Sequence, residues 1–216
     1  MIAAFFDLDY TILNASSGRL FVRYLQETGT ISRWQEAITW GWIALYAARL
    51  IDFPHLIAHL TAHVIGLDEA GTWSLSRRWF DEMVVGYVRE GARQAIARHQ
   101  ADGHRVAIVT ATTSYAAGPV AAHLGLGDDY LSTRLEVIDG RFSGRIVEPA
   151  CYGAGKVYWV ERYAAAHGID LAQSFFYSDG ASDLPLLERV GHPVAVTPDR
   201  RLRRIAQARA WPILSF

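Results

Sequence analysis

Three short apolar runs in this chain end on a polar, chemically competent residue, and that pattern constrains the fold more than anything else. Residues 2–7 read Ile-Ala-Ala-Phe-Phe-Asp, 105–110 read Arg-Val-Ala-Ile-Val-Thr, and 174–179 read Ser-Phe-Phe-Tyr-Ser-Asp. Runs of this length without alternation predict strands buried on both faces. A fourth such strand is expected at 193–196. Between them the spacing turns helical, over 89–102 (closed by Gly103), 114–124, 156–167, 184–190 and 200–209. Strands alternating with helices predict a parallel sheet covered on both faces. In such open sheets ligands bind beyond the carboxyl ends of the strands, where Asp7, Thr110 and Asp179 stand. Residues 135–146 break the rhythm with a hairpin pattern around Asp139-Gly140.

A long stretch, residues 14–86, reads as helix throughout and contains no expected strand. The first helix, 14–30, takes its cap from Asn14 or Ser16 and stops at Gly29. A second begins at Ser32, with Trp34, Ile38, Trp42, Leu45 and Arg49 on its faces. Pro54 suits the first turn of a third helix, ending near Gly66, and a fourth spans 68–86. These helices fall between the first strand and all the others. The expected organisation is therefore an α/β Rossmann-like core, residues 1–13 and 87–216, with a helical-bundle cap domain, 14–86, inserted after the first strand.

Composition narrows the function. The chain has 216 residues, 51% hydrophobic and 20% charged, ordinary for a globular protein. Its net charge of −1 gives no electrostatic case for nucleic acid as a partner. A single cysteine, Cys151, excludes an intramolecular disulfide and a cysteine-based zinc site, and a reducing cytoplasm is the expected compartment. The first residues reach Asp7 with no basic segment and do not read as a signal peptide. The most apolar stretch, 40–51, is shorter than the roughly 20 residues of a membrane span and is interrupted by Arg49.

The strand ends carry the chemistry. Asp7-Leu8-Asp9-Tyr10-Thr11 sets two carboxylates two residues apart, on one side if the strand continues. Two such charges need a proton or a cation between them. Mg²⁺, which takes one or two carboxylates plus phosphate oxygens, would serve. One carboxylate can then attack phosphorus while the other handles the leaving-group proton. The plain alternative is a solvated turn. Thr110, followed by the backbone of Ala111, can hold phosphoryl oxygens, or it can simply cap the next helix. Lys156 begins a helix, where a cation opposes the dipole; it suits a phosphoryl group, or it is an exposed lysine. The spacing of a P-loop is absent. Asp179 is placed to share a cation with Asp7. Asp183 stands where an acid also favours a helix start.

Taken in order, Asp7-Leu-Asp9-Tyr-Thr11, Thr110, Lys156 and Ser178-Asp-Gly-Ala-Ser-Asp183 resemble the four motifs of the haloacid dehalogenase superfamily. The insertion after the first motif is similar to the subfamily with a helical-bundle cap. Asp183-Leu-Pro-Leu-Leu187, Pro198-Asp199-Arg200 and Trp211-Pro212 resemble the phosphoserine-phosphatase-like branch. The resemblance implies a fold, Mg²⁺ as cofactor and a role for each residue. Asp7 would be the nucleophile and Asp9 the general acid and base. Thr110, Ala111 and Lys156 would bind the phosphoryl group. Asp7, the Asp9 carbonyl and Asp179 would hold the metal, and Asp183 would act from behind them. An acid at position 9 separates the chain from the dehalogenases. Ser16 stands where phosphoserine phosphatases carry an amine-reading glutamate, so free phosphoserine is not the expected substrate.

The remaining features carry less. Trp34, Trp40, Trp42, Trp73 and Trp79 are expected to fill a small helical core, with one or two lining a pocket. His55, His59 and His63 repeat every four residues, expected as a half-exposed face rather than a metal site. The run from Arg200 to Arg204 solvates a closing helix. The reading is a Mg²⁺-dependent phosphatase of a small phosphorylated metabolite, acting through an aspartyl-phosphate, with no nucleic acid or integral membrane segment. A phosphatase of lipid head groups or phospholipid precursors, and a non-catalytic phosphate-binding module, stand as alternatives. Oligomeric state and substrate are left open.

Overall fold

The computed structural model describes residues 1–48 and 50–216; Arg49, expected on the second helix, lies outside the described residues. In chain order the elements are β1 (Ala3–Phe6), α1 (Ser17–Glu27), α2 (Arg33–Ala47), α3 (Phe53–Ala62), α4 (Glu69–Trp79), α5 (Glu90–Ala101), β2 (Arg105–Thr113), α6 (Ser114–His123), β3 (Tyr130–Thr133), β4 (Leu135–Ile138), β5 (Arg141–Ile146), α7 (Ala154–His167), β6 (Phe175–Ser178), α8 (Leu184–Leu187), β7 (His192–Val196), α9 (Arg200–Ala208) and β8 (Ile213–Leu214).

The strands order as β3-β2-β1-β6-β7-β8, and all pairings in this sheet are parallel. Alternation on β1 sends Phe5 and Phe6 to opposite faces. Phe6 joins a buried cluster with Ile96 of α5 and Val120 of α6. Phe5 joins another with Val160 of α7 and Leu202 of α9. The sheet is thus covered on both faces, as the alternating pattern predicts. The chain builds outward from β1 to β3, then returns to β6 and builds the other way. The order reverses between β1 and β6, and that crevice is where open sheets bind ligands.

Several expectations need correction. Four strands are expected, yet β3 and β8 also pair in the sheet. β3 mixes polar with apolar residues and β8 has two residues, so neither shows a buried run. β2 does not stop at Thr110 but continues to Thr113, past a register shift. The helix expected over 68–86 ends at Trp79, and the chain goes on through a wide turn at 80–84 and a tight one at 85–87. The Asp139-Gly140 hairpin is present, both residues at positive φ. It also clasps the insertion: the Gly66 N–H donates to the Phe142 carbonyl (2.8 Å), and the Glu69 N–H to Gly140 (2.9 Å).

The tryptophans do not form one core. Trp79, 1% exposed, packs in the cluster beneath the sheet with Leu20 and Tyr24 of α1. Trp73 lies on Tyr115 of α6, ring centroids 4.6 Å apart. Trp42 stacks on His59 at 4.2 Å, while Trp34 is 74% exposed. The two outer helices of the insertion, α1 and α4, put Leu20, Tyr24 and Trp79 into the cluster beneath the sheet. On α2 no described side chain is buried. Among the described residues no helix is long and apolar enough to cross a membrane.

Candidate active site

β1 delivers Asp7 to the sheet edge. Its N–H still donates to the Tyr177 carbonyl of β6 (2.9 Å), so the side chain is held at the reversal point, 7% exposed. The strand does not continue through Asp9. Instead the chain folds back, the Leu13 N–H reaching the Leu8 carbonyl at 2.9 Å, with Tyr10 at φ +57°. A non-glycine residue in that region costs energy and persists only where its surroundings fix it. The turn presents Asp9 to the start of α1, where the Ser17 N–H donates to its Oδ1 at 2.9 Å. A carboxylate at a helix N-terminus meets unpaired N–H groups and a favourable dipole.

Lys156 arrives from a glycine-rich turn. A Cβ on Gly155 would overlap the Ala150 carbonyl, so only glycine lets the chain turn there into α7. The turn buries Lys156 to 2% exposure, and its Nζ donates to Asp7 Oδ1 and to Asp183 Oδ2, each at 2.7 Å. This is not the exposed lysine of the plain reading. Nor does Asp183 cap a helix: it has no capping bond and accepts instead from Lys156 and the Ser178 hydroxyl (2.8 Å).

Thr110 sits at the same edge from the other side. Ile108 is opposite Phe6, which puts Thr110 just beyond the level of Asp7. It is 2% exposed, and its Oγ1 accepts from the Thr112 N–H (3.3 Å), leaving its own proton to donate. It does not cap α6, which starts after Thr113. Ala111 follows it, half-buried. Asp179 leaves β6 in a loop pinned by Asp199, whose N–H donates to the Asp179 carbonyl (2.8 Å) and whose Oδ2 accepts from Ala181 (2.9 Å).

Carboxylates outnumber cations here, and the protonation states record it. Burial raises Asp7 well above the ordinary carboxylate range; Lys156 opposes this, while Asp183 and Asp179 add to it. Burial, then the Asp183 charge, pushes Asp179 up to about 7. Burial also raises Asp9, against the Ser17 N–H and the Ser16 and Ser17 hydroxyls. Burial alone would lower Lys156, but Asp183 and Asp7 outweigh it and hold it protonated. A hard cation with oxygen ligands fits this excess. Asp7 gives one oxygen to Lys156, and Asp179 has no ion-pair partner among the described residues. The described residues offer no cluster of three metal-binding side chains. The expected set is two carboxylates and a backbone carbonyl, which suits Mg²⁺, an ion that keeps waters and takes substrate oxygens.

Comparison with known proteins bears on this arrangement. Residues 4–188 match the haloacid dehalogenase-like hydrolase family. The chain belongs to that family. A probable phosphatase of Mycobacterium tuberculosis is 36% identical over 99% of this chain and 75% of its own length. A phosphoserine phosphatase of the same organism is 32% identical over 99% and 70%. A histidinol-phosphatase of Neisseria meningitidis is 28% identical over 99% and 98%. A solved structure of a protein of unknown function from Bordetella pertussis superposes with a TM-score of 0.90, at 29% identity over 98% of this chain and 97% of that one. The expectation of an enzyme, a haloacid dehalogenase-type hydrolase of the phosphatase kind, holds.

Within that frame the structure joins Asp7, Lys156 and Asp183 directly, sets Asp179 within reach of their charges, and brings Asp9 in through its turn. Motif reading assigns no role to Ser17, Ser178 or Thr112. The Ser17 hydroxyl donates to Thr112 Oγ1 at 3.3 Å and so links the Asp9 cradle to the Thr110 segment. A serine just inside a helix start signals such a cradle only once an acid is known to face it.

Proposed function

We propose that this hydrolase cleaves small phosphate monoesters through an aspartyl-phosphate on Asp7. The observation that supports it most is the buried Lys156 gripping Asp7 and Asp183 beside Asp179, which has no ion-pair partner among the described residues. In the first step an Asp7 oxygen attacks phosphorus, and the bond from phosphorus to the ester oxygen breaks. Asp9, whose carboxyl is raised by burial above the ordinary range, would pass a proton to the departing alkoxide. In the second step Asp9, now a carboxylate, takes a proton from water. The hydroxide oxygen attacks phosphorus and the Asp7–phosphorus bond breaks, releasing phosphate. The Thr110 hydroxyl, the Ala111 N–H and the Lys156 ammonium would hold the phosphoryl oxygens while their charge redistributes. Asp7, Asp179 and the Asp9 carbonyl would hold Mg²⁺, which when bound neutralises phosphoryl charge. Asp183 would fix Lys156.

Residues 14–86 would form the cap that closes over this edge and chooses the leaving group. Free phosphoserine is a poor fit. Ser16 caps α1 (Arg19 N–H, 3.4 Å) and lies at Asp9. The nearby acids are engaged: Asp52 with His55, Asp68 with the Gly71 N–H, and Glu69 with the Tyr115 hydroxyl. The relatives' names themselves span different substrates. The uncharged, exposed face of α2 favours a second reading, a phosphatase of lipid head groups. The buried lone cysteine is compatible with a cytoplasmic setting.

The test is phosphate release from a panel holding phosphoserine, histidinol phosphate, a sugar phosphate, phosphocholine and a vesicle-borne phospholipid monoester, with Mg²⁺ and with chelator. Turnover that requires Mg²⁺, with phosphoserine trailing, is expected. Full activity in chelator, or phosphoserine leading by tenfold, contradicts the reading.

A further inference from the structure

Three aromatic side chains from separate parts of the chain meet at the loop that leads into Lys156. Tyr46 comes from the end of α2 and Phe53 opens α3. Tyr152 lies in the loop entering α7, four residues before Lys156. The Phe53 ring stacks on Tyr152, centroids 4.5 Å apart and planes 13° apart. The Tyr46 hydroxyl donates to the Tyr152 hydroxyl at 3.1 Å, and its ring meets Phe53 edge-on at 6.2 Å. These contacts join the insertion to the very loop that delivers the lysine.

The trio borders the charged centre. Gly153, next to Tyr152, packs so that a Cβ there would stand 3.8 Å from the Ser182 carbonyl, the neighbour of Asp183. The Asp183 charge reaches the Tyr46 hydroxyl and adds to the burial and the Tyr152 bond that keep it protonated. A phosphoryl group on Asp7 and Lys156 would leave the rest of the ester directed at this corner. All three rings are half-buried, so aromatic surface faces outward there. None of the three carries an ionised side chain. Asp52, the nearest acid in sequence, caps α3 through the His55 N–H (3.0 Å). Aromatic faces of this kind reward a flat apolar group. A carboxylate placed against them would lose water without gaining a charged partner, and a cation would gain only the ring faces.

Resting on the phosphatase reading above, we propose that Tyr46, Phe53 and Tyr152 form the leaving-group wall and select phosphate monoesters whose alcohol carries an aromatic or heteroaromatic ring. The ring extends the Phe53–Tyr152 stack while the phosphoryl group remains at Asp7. The three residues determine specificity and take no part in proton or phosphoryl transfer.

The test compares kcat/KM for 2-phenylethyl phosphate and ethyl phosphate, whose alcohols leave with similar ease. The wild-type ratio is expected to favour the aromatic ester by about tenfold or more, the scale of one added aromatic contact plus its buried area. The ratio falls toward one in Phe53→Leu and Tyr152→Leu. It is kept in Tyr152→Phe, which retains the ring and loses only the hydroxyl contact. Trp34→Ala, far out on α2, leaves it unchanged. A wild-type ratio near one, or a ratio unmoved by either leucine variant, overturns the wall. If a leucine variant does not fold, the wild-type ratio still decides. Failure of the phosphatase reading looks different: neither ester, nor an activated aryl phosphate, would release phosphate at all. Preference for phosphocholine over the phenylethyl ester would also overturn the proposal, in favour of a cation-binding cage.

Discussion

The edge of the sheet and the α2–α3 corner contrast in almost every physical respect. At the sheet edge Asp7, Thr110, Lys156, Ser178 and Asp183 are buried, and hydrogen bonds tie most of them to one another. On α2 no described side chain is buried, and Trp34, Ile38 and Leu45 face solvent. The first region is over-determined: two parallel strands, a glycine-only turn and a helix start each place one charged group. The second is anchored mainly through α3, where Leu56, Ile57 and Thr61 are buried, and through aromatic contacts. Chemistry here belongs to the parallel sheet, where position follows from register. On the proposed reading, choice of substrate falls to the exposed surface of the insertion; relatives that match this chain over 99% of its length carry different substrate names.

The comparison can be broken by showing that the edge tolerates change. Asp7→Asn is expected to reduce turnover by roughly 10⁴-fold or more, the scale of losing a nucleophile. Asp9→Asn should lose about 10²–10⁴-fold, least in the first step with a good leaving group. Lys156→Met leaves Asp7 and Asp183 buried without their cation. It should cost about 3–5 kcal/mol in denaturant unfolding, as removal of one partner from a buried pair does. If all three variants behave like surface substitutions, the edge is not the rigid centre described.

A fourth expectation sharpens it from behind the edge. His99 packs under β1 and β6, its Nε2 sharing a hydrogen bond with the Tyr177 hydroxyl (2.9 Å) and its Nδ1 facing His104. Burial, with His104 beside it, lowers it to about 4. The unfolded chain therefore binds more protons between the ordinary value near 6.5 and 4, so stability is full above that window and falls as pH drops through it. From pH 7 to 5 the wild type should lose about 1–2 kcal/mol more than His99→Gln, read by urea midpoints. Equal losses would mean that His99 is not buried neutral. At the other extreme, Trp34→Ala should leave stability and turnover unchanged within error.

Legibility in the sequence follows the same division. The runs ending at Asp7, Thr110 and Asp179 are readable because strands buried on both faces lack alternation. The edge strands β3 and β8 escape because one is mixed in polarity and the other too short. Ordered acids, a threonine and a lysine pick out residues that the structure brings to one sheet edge. Its geometry is not readable: Asp9 departs from the strand through a left-handed Tyr10, and Asp183 serves Lys156 rather than a helix cap. The tryptophans mislead for a related reason. Aromatic content says that rings will be covered, but not whether by one another or by the sheet, and Trp79 and Trp73 go to the sheet side while Trp34 stays in water.

The central claim, that Asp7 at the reversal point is the nucleophile, is tested most directly by trapping its product. Asp9→Asn, incubated with Mg²⁺ and an activated aryl phosphate and quenched in acid, should gain the mass of one phosphoryl group, and peptide mapping should place it on Asp7. The adduct should vanish in the Asp7→Asn, Asp9→Asn double variant. A stable phosphoryl group on any other residue, or phosphate release by Asp7→Asn at the wild-type rate, would contradict the account.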